Sequence, residues 1–339
     1  MNNLLKQDAL EVLKNININW FKDKKILITG ASGLLGINLI SMLKQSELSF
    51  KCLVIINNTP ELFFLNLIKD DDRFICNKCD LTEGLDTCLC YDVIFHLATY
   101  GQPAKIFSKN QIENQIKTIT LNTEVVINLF KHLKLDGKFI FLSTSEVYQG
   151  LQGKHKEENI GTTTPQHVRA CYIEAKRCGE AICNIYKNQG YNVKVIRLCL
   201  GYGMGVKITD RRVMNSFIFR ALTDKKIDLM DSGSATRTYC YATNVLEMIL
   251  NIMINGEDLV YNVGGEEIVS IKQLALNIGE ILNVPISIPK TDDEIKGASN
   301  AVILNIDKYI NEFSKPNFID INEGLKRTID WWKSQLGIN

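Results

Sequence analysis

The stretch Lys24 to Gly36, KKILITGASGLLG, constrains this chain more than any other. Lys25-Ile26-Leu27-Ile28 reads as a short buried strand that stops at Thr29-Gly30. Glycines recur at Gly30, Gly33 and Gly36, and a helical pattern runs on from Leu34 to Leu43. Gly30 permits a tight turn, Gly33 lets backbone approach a pyrophosphate, and Gly36 lets the helix pack close to the strand. Ser32, Leu34 and Leu35 fill the positions between them. The helix start then offers N–H groups to phosphates. Strand, glycine turn and helix in this order are the context that a dinucleotide cradle requires. A glycine turn in an α/β protein without a cofactor is the alternative.

Further strands alternate with helical patterns. Cys52 to Ile56, Arg73 to Cys76, Tyr91 to Leu97, Lys138 to Leu142 and Val193 to Leu198 read as strands two to six, with Phe74-Ile75-Cys76 as a buried strand. A helical stripe runs through Ile112, Ile116, Ile119, Val126, Phe130 and Leu133, with Asn122 on its face as a core amide or a catalytic group. This alternation predicts an α/β fold: a doubly wound parallel Rossmann sheet with ligands at the strand carboxyl ends. Residues 1–200 would form that domain. Residues 201–339 would form a smaller, interwoven substrate domain, with parts of about 240–265 returning to the first. Leu4 to Leu13 would be a helix on the domain surface. Ser270 would cap a helix reaching about Leu282, and Asp320 with Glu323 makes a capping-box pattern.

The 339 residues suit this two-part plan. A net charge of +1 points to no nucleic-acid or membrane-surface partner. Met1 to Trp20 does not read as a signal peptide, and no stretch approaches the ~20 apolar residues of a membrane span. The ten cysteines therefore read as reduced thiols in a cytoplasmic protein. Cys76, Cys79, Cys88 and Cys90 approach metal-ligand spacing, but the first pair flanks a strand end, so no metal is expected. Asn57 and Asn58 end the second strand with neither the acid that holds an NAD ribose nor a basic cluster for a 2′-phosphate; NAD is favoured over NADP.

The chemistry centres on Tyr172 and Lys176, four apart on one helix and so on one face. A phenol of pKa ~10 is a poor base, and a neighbouring ammonium would lower that value. Thr144, in the Ser143-Thr144-Ser145 run that ends the fifth strand, can hydrogen-bond the same substrate hydroxyl. Together the three form a proton-abstracting set facing a hydride acceptor.

These residues carry a resemblance. TGASGLLG (Thr29 to Gly36), Asp80-Leu81, FHLA (Phe95 to Ala98), STSEVY (Ser143 to Tyr148), YIEAK (Tyr172 to Lys176) and YNVGG (Tyr261 to Gly265) resemble the extended short-chain dehydrogenase/reductase family of nucleotide-sugar enzymes. Within it, Arg169 to Cys183, Arg211 to Leu222 and Asp231 to Tyr241 look most like the UDP-glucuronate decarboxylase group. The resemblance implies that Gly30, Gly33 and Gly36 hold the pyrophosphate of NAD. Asn57, Asp80, Leu81, Leu97, Ala98 and Lys176 would complete the cofactor site. Thr144, Tyr172 and Lys176 would be the catalytic triad, with Glu146 an added acid/base group. Ser145, Arg212 and Arg237 would face the nucleotide-sugar. A homodimer would form through a four-helix bundle of the helices holding Ile116 and Tyr172.

Three departures stand out: Gln149 replaces a glycine, Leu200 replaces a substrate-contacting asparagine, and Thr99 to Pro103 differs from the decarboxylase pattern. The implied reaction is oxidation at C4 of a UDP-sugar, then decarboxylation. Ser145 stands where dehydratases carry an aspartate, which argues against a 4,6-dehydratase; a 4-epimerase and a 4-dehydrogenase stay open. A non-catalytic NAD-binding sensor is the alternative of another class.

Overall fold

The computed structural model describes residues 3–99, 111–289 and 301–338; of the departure at Thr99 to Pro103, Tyr100 to Pro103 lie outside them. Seven parallel strands form the main sheet, in the spatial order Val260–Val263, Asn192–Leu198, Leu133–Thr144, Tyr91–His96, Lys24–Thr29, Phe50–Ile56 and Phe74–Lys78. All adjacent pairs run parallel. Their carboxyl ends therefore share one edge. Both faces are covered, which accounts for fully apolar inner strands such as Ile26 to Ile28 and Val93 to Phe95. The order reverses at Lys24–Thr29, which places a crevice outside that strand's carboxyl end.

A smaller mixed sheet holds Ile268–Ser270, Thr236–Tyr241, Ala301–Leu304 and Lys154–His155, with Leu200–Tyr202 also paired to Thr236–Tyr241. The chain thus crosses to the second sheet first at Lys154–His155 and again at Leu200, returns to the main sheet at Val260–Val263, and crosses once more. This matches the expected α/β plan of a Rossmann sheet with a smaller second part.

Three local expectations change. The stripe from Ile112 breaks into helices Gln111–Asn122 and Glu124–Phe130, and Leu133 begins a strand. Thr118 and Thr123 hydroxyls donate to the Asn114 and Ile119 carbonyls, and Asn122 Nδ2 donates to Thr118. Such bonds back to the fourth preceding carbonyl bend helices, and Thr123 leaves the helical region at φ −125°, ψ −82°. Phe74–Lys78 is the edge strand of the sheet among the described residues, with only Phe74 buried. Asp320 does cap its helix, accepting from the Asn322 and Glu323 amides, but Glu323 turns to Arg327 instead of closing the box. Ser270 caps Ile271–Leu282 through the Gln273 amide.

The N-terminal helix Asn3–Asn15 packs on Leu34–Gln45 and Ala242–Asn255. It carries a buried carboxyl, Asp8, which accepts from Tyr241 Oη and from Arg327 Nη1, both at 2.7 Å. Burial pushes Asp8 up to about 6 even though Tyr241 and Arg327 pull it down. No helix among the described residues is long and apolar enough to cross a membrane.

Because the folded protein holds the Asp8 proton more tightly than an unfolded chain does, ionising it costs stability as pH rises through about 6. Arg327→Met is therefore expected to destabilise by about 3 kcal/mol at pH near 8, where an unpaired buried carboxylate would remain. The loss should be smaller near pH 5, where Asp8 takes up its proton. Urea unfolding at the two pH values measures the difference.

Candidate active site at the strand carboxyl ends

The first strand ends in the glycine turn. Gly30 has φ +66°, and a Cβ there would lie 2.7 Å from the Ala98 nitrogen. The turn thus needs a residue without a side chain, both for its hand and for its approach to the next strand. Gly36 lies against the turn itself: a Cβ would meet the Ala31 carbonyl and stand 2.6 Å from Ala31 Cα. The close packing foreseen for Gly36 is real, but its partner is the turn backbone. Helix Leu34–Gln45 begins at Gly33 without a side-chain cap, so its first N–H groups face the crevice. Ser32 stands in the turn, Leu34 is half-buried, and Leu35 is buried. These features fit a dinucleotide phosphate.

Thr29 and His96 lock this turn to the fourth strand. The Leu121 carbonyl can only accept, so His96 Nε2 carries the proton and donates to it at 2.9 Å. His96 Nδ1 then accepts from Thr29 Oγ1 at 2.8 Å, and Thr29 Oγ1 accepts from the Ala98 amide at 3.3 Å. Burial, aided by the charge of Lys176, pushes His96 down to about 3, so the ring is neutral. Leu97 is buried and Ala98 half-buried along the crevice. Asn57 is exposed at the end of the second strand. Asp80 accepts from Thr82 and pairs with Lys117 at 2.9 Å. Burial raises its pKa, but these bonds outweigh it and hold the carboxyl below the usual range. Its carboxylate is thus committed, with Leu81 buried behind it.

Thr144 ends the fifth strand and accepts from the Glu146 amide at 3.2 Å, starting the 3-10 turn Ser145–Tyr148. That turn carries buried Ser145 and the carboxylate of Glu146. Helix Ala170–Asn188 packs tightly alongside: a Cβ at Gly179 would lie 2.6 Å from the Asn122 carbonyl oxygen and collide with the Phe141 ring. This brings Tyr172 within electrostatic reach of Thr144, Arg169 and Arg212. Lys176, one turn on, is buried; its Nζ donates to the Leu142 carbonyl at 2.6 Å and lies 4.8 Å from the centre of the Phe141 ring.

The electrostatics differ from the expectation. Burial and the charge of Glu146 push Tyr172 up to about 12, and the groups that pull it down are Thr144, Arg169 and Arg212. Lys176 is not among them, because its ammonium is directed to Leu142. Burial brings Lys176 itself down to about 7, against the pull of Glu180.

Two residues that sequence reading did not single out complete the cluster. Arg169 grips Glu146 with two bonds, Nε to Oε2 at 2.9 Å and Nη2 to Oε1 at 2.6 Å, and its guanidinium lies 4.8 Å from the centre of the Tyr172 ring. Its spacing, one helical turn before Tyr172, was the available signal. Tyr239 is buried with a hydroxyl that has no partner among the described residues, and Arg237 and Arg212 lie within electrostatic reach. Two residues after Arg237 on one strand, it shares that residue's face. Arg237 is within reach of Glu146. Arg212, the residue before helix Val213–Thr223, pairs with Asp210 at 2.7 Å. Leu200 stands opposite Tyr239 in the parallel pairing. Asn122 is buried, with Nδ2 bonded to Thr118 and Oδ1 unpartnered among the described residues, so it is not a satisfied core amide.

Comparison with known proteins shows the family and the fold. The model of the NAD dependent epimerase/dehydratase family matches residues 26–264. UDP-glucuronic acid decarboxylase 6 of Arabidopsis thaliana is 32% identical over 281 residues, 81% of this chain and 77% of that protein. UDP-glucuronic acid decarboxylase 1 of Xenopus tropicalis is 30% identical over 334 residues, 92% of this chain and 73% of that protein. A UDP-glucuronic acid 4-epimerase from Bacillus cereus, solved with UDP-glucuronic acid and NAD, shares the fold: TM-score 0.77 at 24% identity, over 92% of this chain and 99% of that one.

Gly36→Ala drives a methyl into the Ala31 backbone, which cannot swing aside as a side chain would. It is expected to cost about 1–3 kcal/mol of stability, read as a lower thermal midpoint.

Proposed function

The chain belongs to the NAD-dependent epimerase/dehydratase family, and on that premise we propose that it is a UDP-glucuronate decarboxylase in which Thr144, Tyr172, Lys176 and Glu146 act on the sugar. The observation that carries this reading is the placement of Tyr172 beside Thr144, with Lys176 one turn below and Glu146 alongside at the same sheet edge. The relatives at 30% and 32% identity are decarboxylases by name and supply the substrate class.

Bound NAD would supply the hydride acceptor for C4 of the sugar and the hydride's return within the same turnover. The glycine turn and the open helix start would hold its pyrophosphate, and Leu97 and Ala98 would line it. Asp80 would meet adenine through its backbone, since its carboxylate is taken. Tyr172 removes the C4 hydroxyl proton, with Thr144 fixing the phenol oxygen and the Arg169 and Arg212 charges favouring the phenolate. Lys176 would hydrogen-bond the nicotinamide ribose and keeps the phenol's helix at depth through Leu142. A C4 ketone is β to the glucuronate carboxylate, so the C5–carboxylate bond can break with its electron pair entering the enolate. Carbon dioxide leaves, and C5 needs a proton. Glu146, held by Arg169, handles that proton or a water near C5. Arg237 and Arg212 orient the anionic substrate, with Ser145 beside it.

A second reading has one observation in its favour. Leu200 brings an apolar side chain where the decarboxylases carry an amide, and it sits opposite Tyr239 in the same sheet. A 4-epimerase or 4-dehydrogenase acting on a different nucleotide-sugar would suit that change.

We also propose a homodimer. Ile112, Ile116 and Ile119 are 76%, 57% and 45% exposed on helix Gln111–Asn122, a stripe at spacings of four and three. That helix packs beside Ala170–Asn188, whose Ile185 is also exposed. A second copy of the pair would cover both, as a four-helix bundle.

UDP-glucuronate labelled at the carboxyl carbon should release labelled carbon dioxide and yield a UDP-pentose without net consumption of NAD. Glu146→Gln should slow release on the order of 10²-fold. No labelled carbon dioxide, with a neutral nucleotide-sugar converted instead, would transfer the assignment to the second reading. Ile116→Lys should convert a dimer to a monomer in light scattering; a monomeric parent protein would remove the dimer.

A further inference from the structure

The segment after strand Leu200–Tyr202 runs back to the glycine turn and is anchored on two sides. The Met204 carbonyl accepts from Asn38 Nδ2 at 2.9 Å, and the Val206 carbonyl accepts from Trp331 Nε1 at 2.9 Å. Gly205 lies so near helix Leu34–Gln45 that a Cβ would stand 2.9 Å from Ile37 Cγ2. These anchors fix the next residue, Lys207, whose Nζ donates to Ser32 Oγ at 3.1 Å. Ser32 sits between Gly30 and Gly33, just before the uncapped helix start. On the other side stands half-buried Glu61, past the end of the second strand; burial raises its pKa and the Lys207 charge draws it down. The ammonium is therefore placed at the turn, towards the segment that begins with Asn57 and Asn58.

We propose that Lys207 is a phosphate ligand of the bound dinucleotide, supplied across the crevice from outside the glycine turn. The turn offers only backbone N–H groups and the Ser32 hydroxyl, and Asn57 and Asn58 bring no charge to the second strand's end. A lysine ammonium binds phosphate as a point charge, which suits a group approaching from another segment. The inference rests on the glycine turn being the dinucleotide cradle. Both NAD and NADP carry a pyrophosphate, and only NADP adds a 2′-phosphate, so the pair distinguishes the two phosphate sources.

Calorimetry without substrate, on protein freed of bound dinucleotide, tests it. Lys207→Met should weaken NAD binding about tenfold, and Lys207→Arg should restore most of the loss. An equal loss for NADP assigns the contact to the pyrophosphate. A loss confined to NADP assigns it to the 2′-phosphate and still supports a phosphate ligand. Unchanged affinity for both dinucleotides in a Lys207→Met protein with the parent thermal midpoint overturns the proposal. Failure of the parent protein to bind either one overturns the cradle reading itself, a result separable from any effect of the substitution.

Discussion

The buried ion pair of Arg197 and Glu180 is the contact on which the site's shape depends. Arg197 lies next to last in the strand Asn192–Leu198, and Glu180 lies on the helix that carries Tyr172 and Lys176. Arg197 Nη2 meets Glu180 Oε2 at 2.7 Å, and Ser143 Oγ donates to the same carboxylate. The other end of the guanidinium donates to Tyr148 Oη at 2.9 Å and to the Glu157 and Asn159 carbonyls. Tyr148 passes the chain on to Asn262, which also holds the His155 and Asn305 carbonyls. One cation thus joins the turn bearing Glu146, the helix bearing Tyr172, the last strand of the main sheet and a strand of the second. Such a pair adds little net stability over apolar packing, yet removing one partner would leave a charge stranded. Its worth lies in geometry: it fixes where the helix sits against the end of the fifth strand.

That fixed helix sets the electrostatics. Lys176 is drawn into an apolar pocket under Phe141 with one carbonyl as partner, and burial favours its neutral form. Glu180, four residues on, offsets part of this cost while bound to Arg197. Tyr172 is equally buried, and its neutral form is favoured too. The cations that oppose this come from the two guanidinium groups, one stacked on its ring and one from the segment before Val213–Thr223. Proton affinity at Tyr172 is therefore balanced between burial and charges held on different segments. A change in how those segments approach would move it.

Much of this was legible in the sequence, for identifiable reasons. The glycine turn is dictated by local backbone limits, so Gly30 and Gly36 could be read before any fold was known. The spacing of Tyr172 and Lys176 likewise gives one helix face. Burial periodicity gave the α/β plan, because strands covered on both faces read as apolar runs. What was not legible depends on partners distant in sequence. The lysine's true partner is a carbonyl of another strand, and no spacing reveals that. Glu146 was legible as an acid/base group, but its grip by Arg169, 23 positions away, was not. The stripe from Ile112 read as one helix because apolar periodicity passes unchanged through Thr123. The break comes from hydroxyls that satisfy carbonyls within the same chain segment.

Under the proposed function, the face formed by Arg237, Tyr239 and Leu200 is where one position would redirect recognition without disturbing the fold. In parallel pairing Leu200 and Tyr239 are neighbours, so a side chain at position 200 shapes what the tyrosine hydroxyl can meet. An amide there would offer both a donor and an acceptor; leucine offers neither. The Tyr239 hydroxyl is left buried with no partner among the described residues, and a buried polar group in that state costs about 1–3 kcal/mol. Asn215 Oδ1, just beyond Arg212, is in the same condition. Such costs persist in a fold when a ligand relieves them. Under the proposed function, Arg212 and Arg237 would set an anionic preference at this face, while the contacts that choose among anionic sugars would pass to Tyr239 and Asn215. Under the proposed function, substrate choice in this chain would be carried by hydroxyl and amide groups around an apolar residue, and the charged pair would only limit the class.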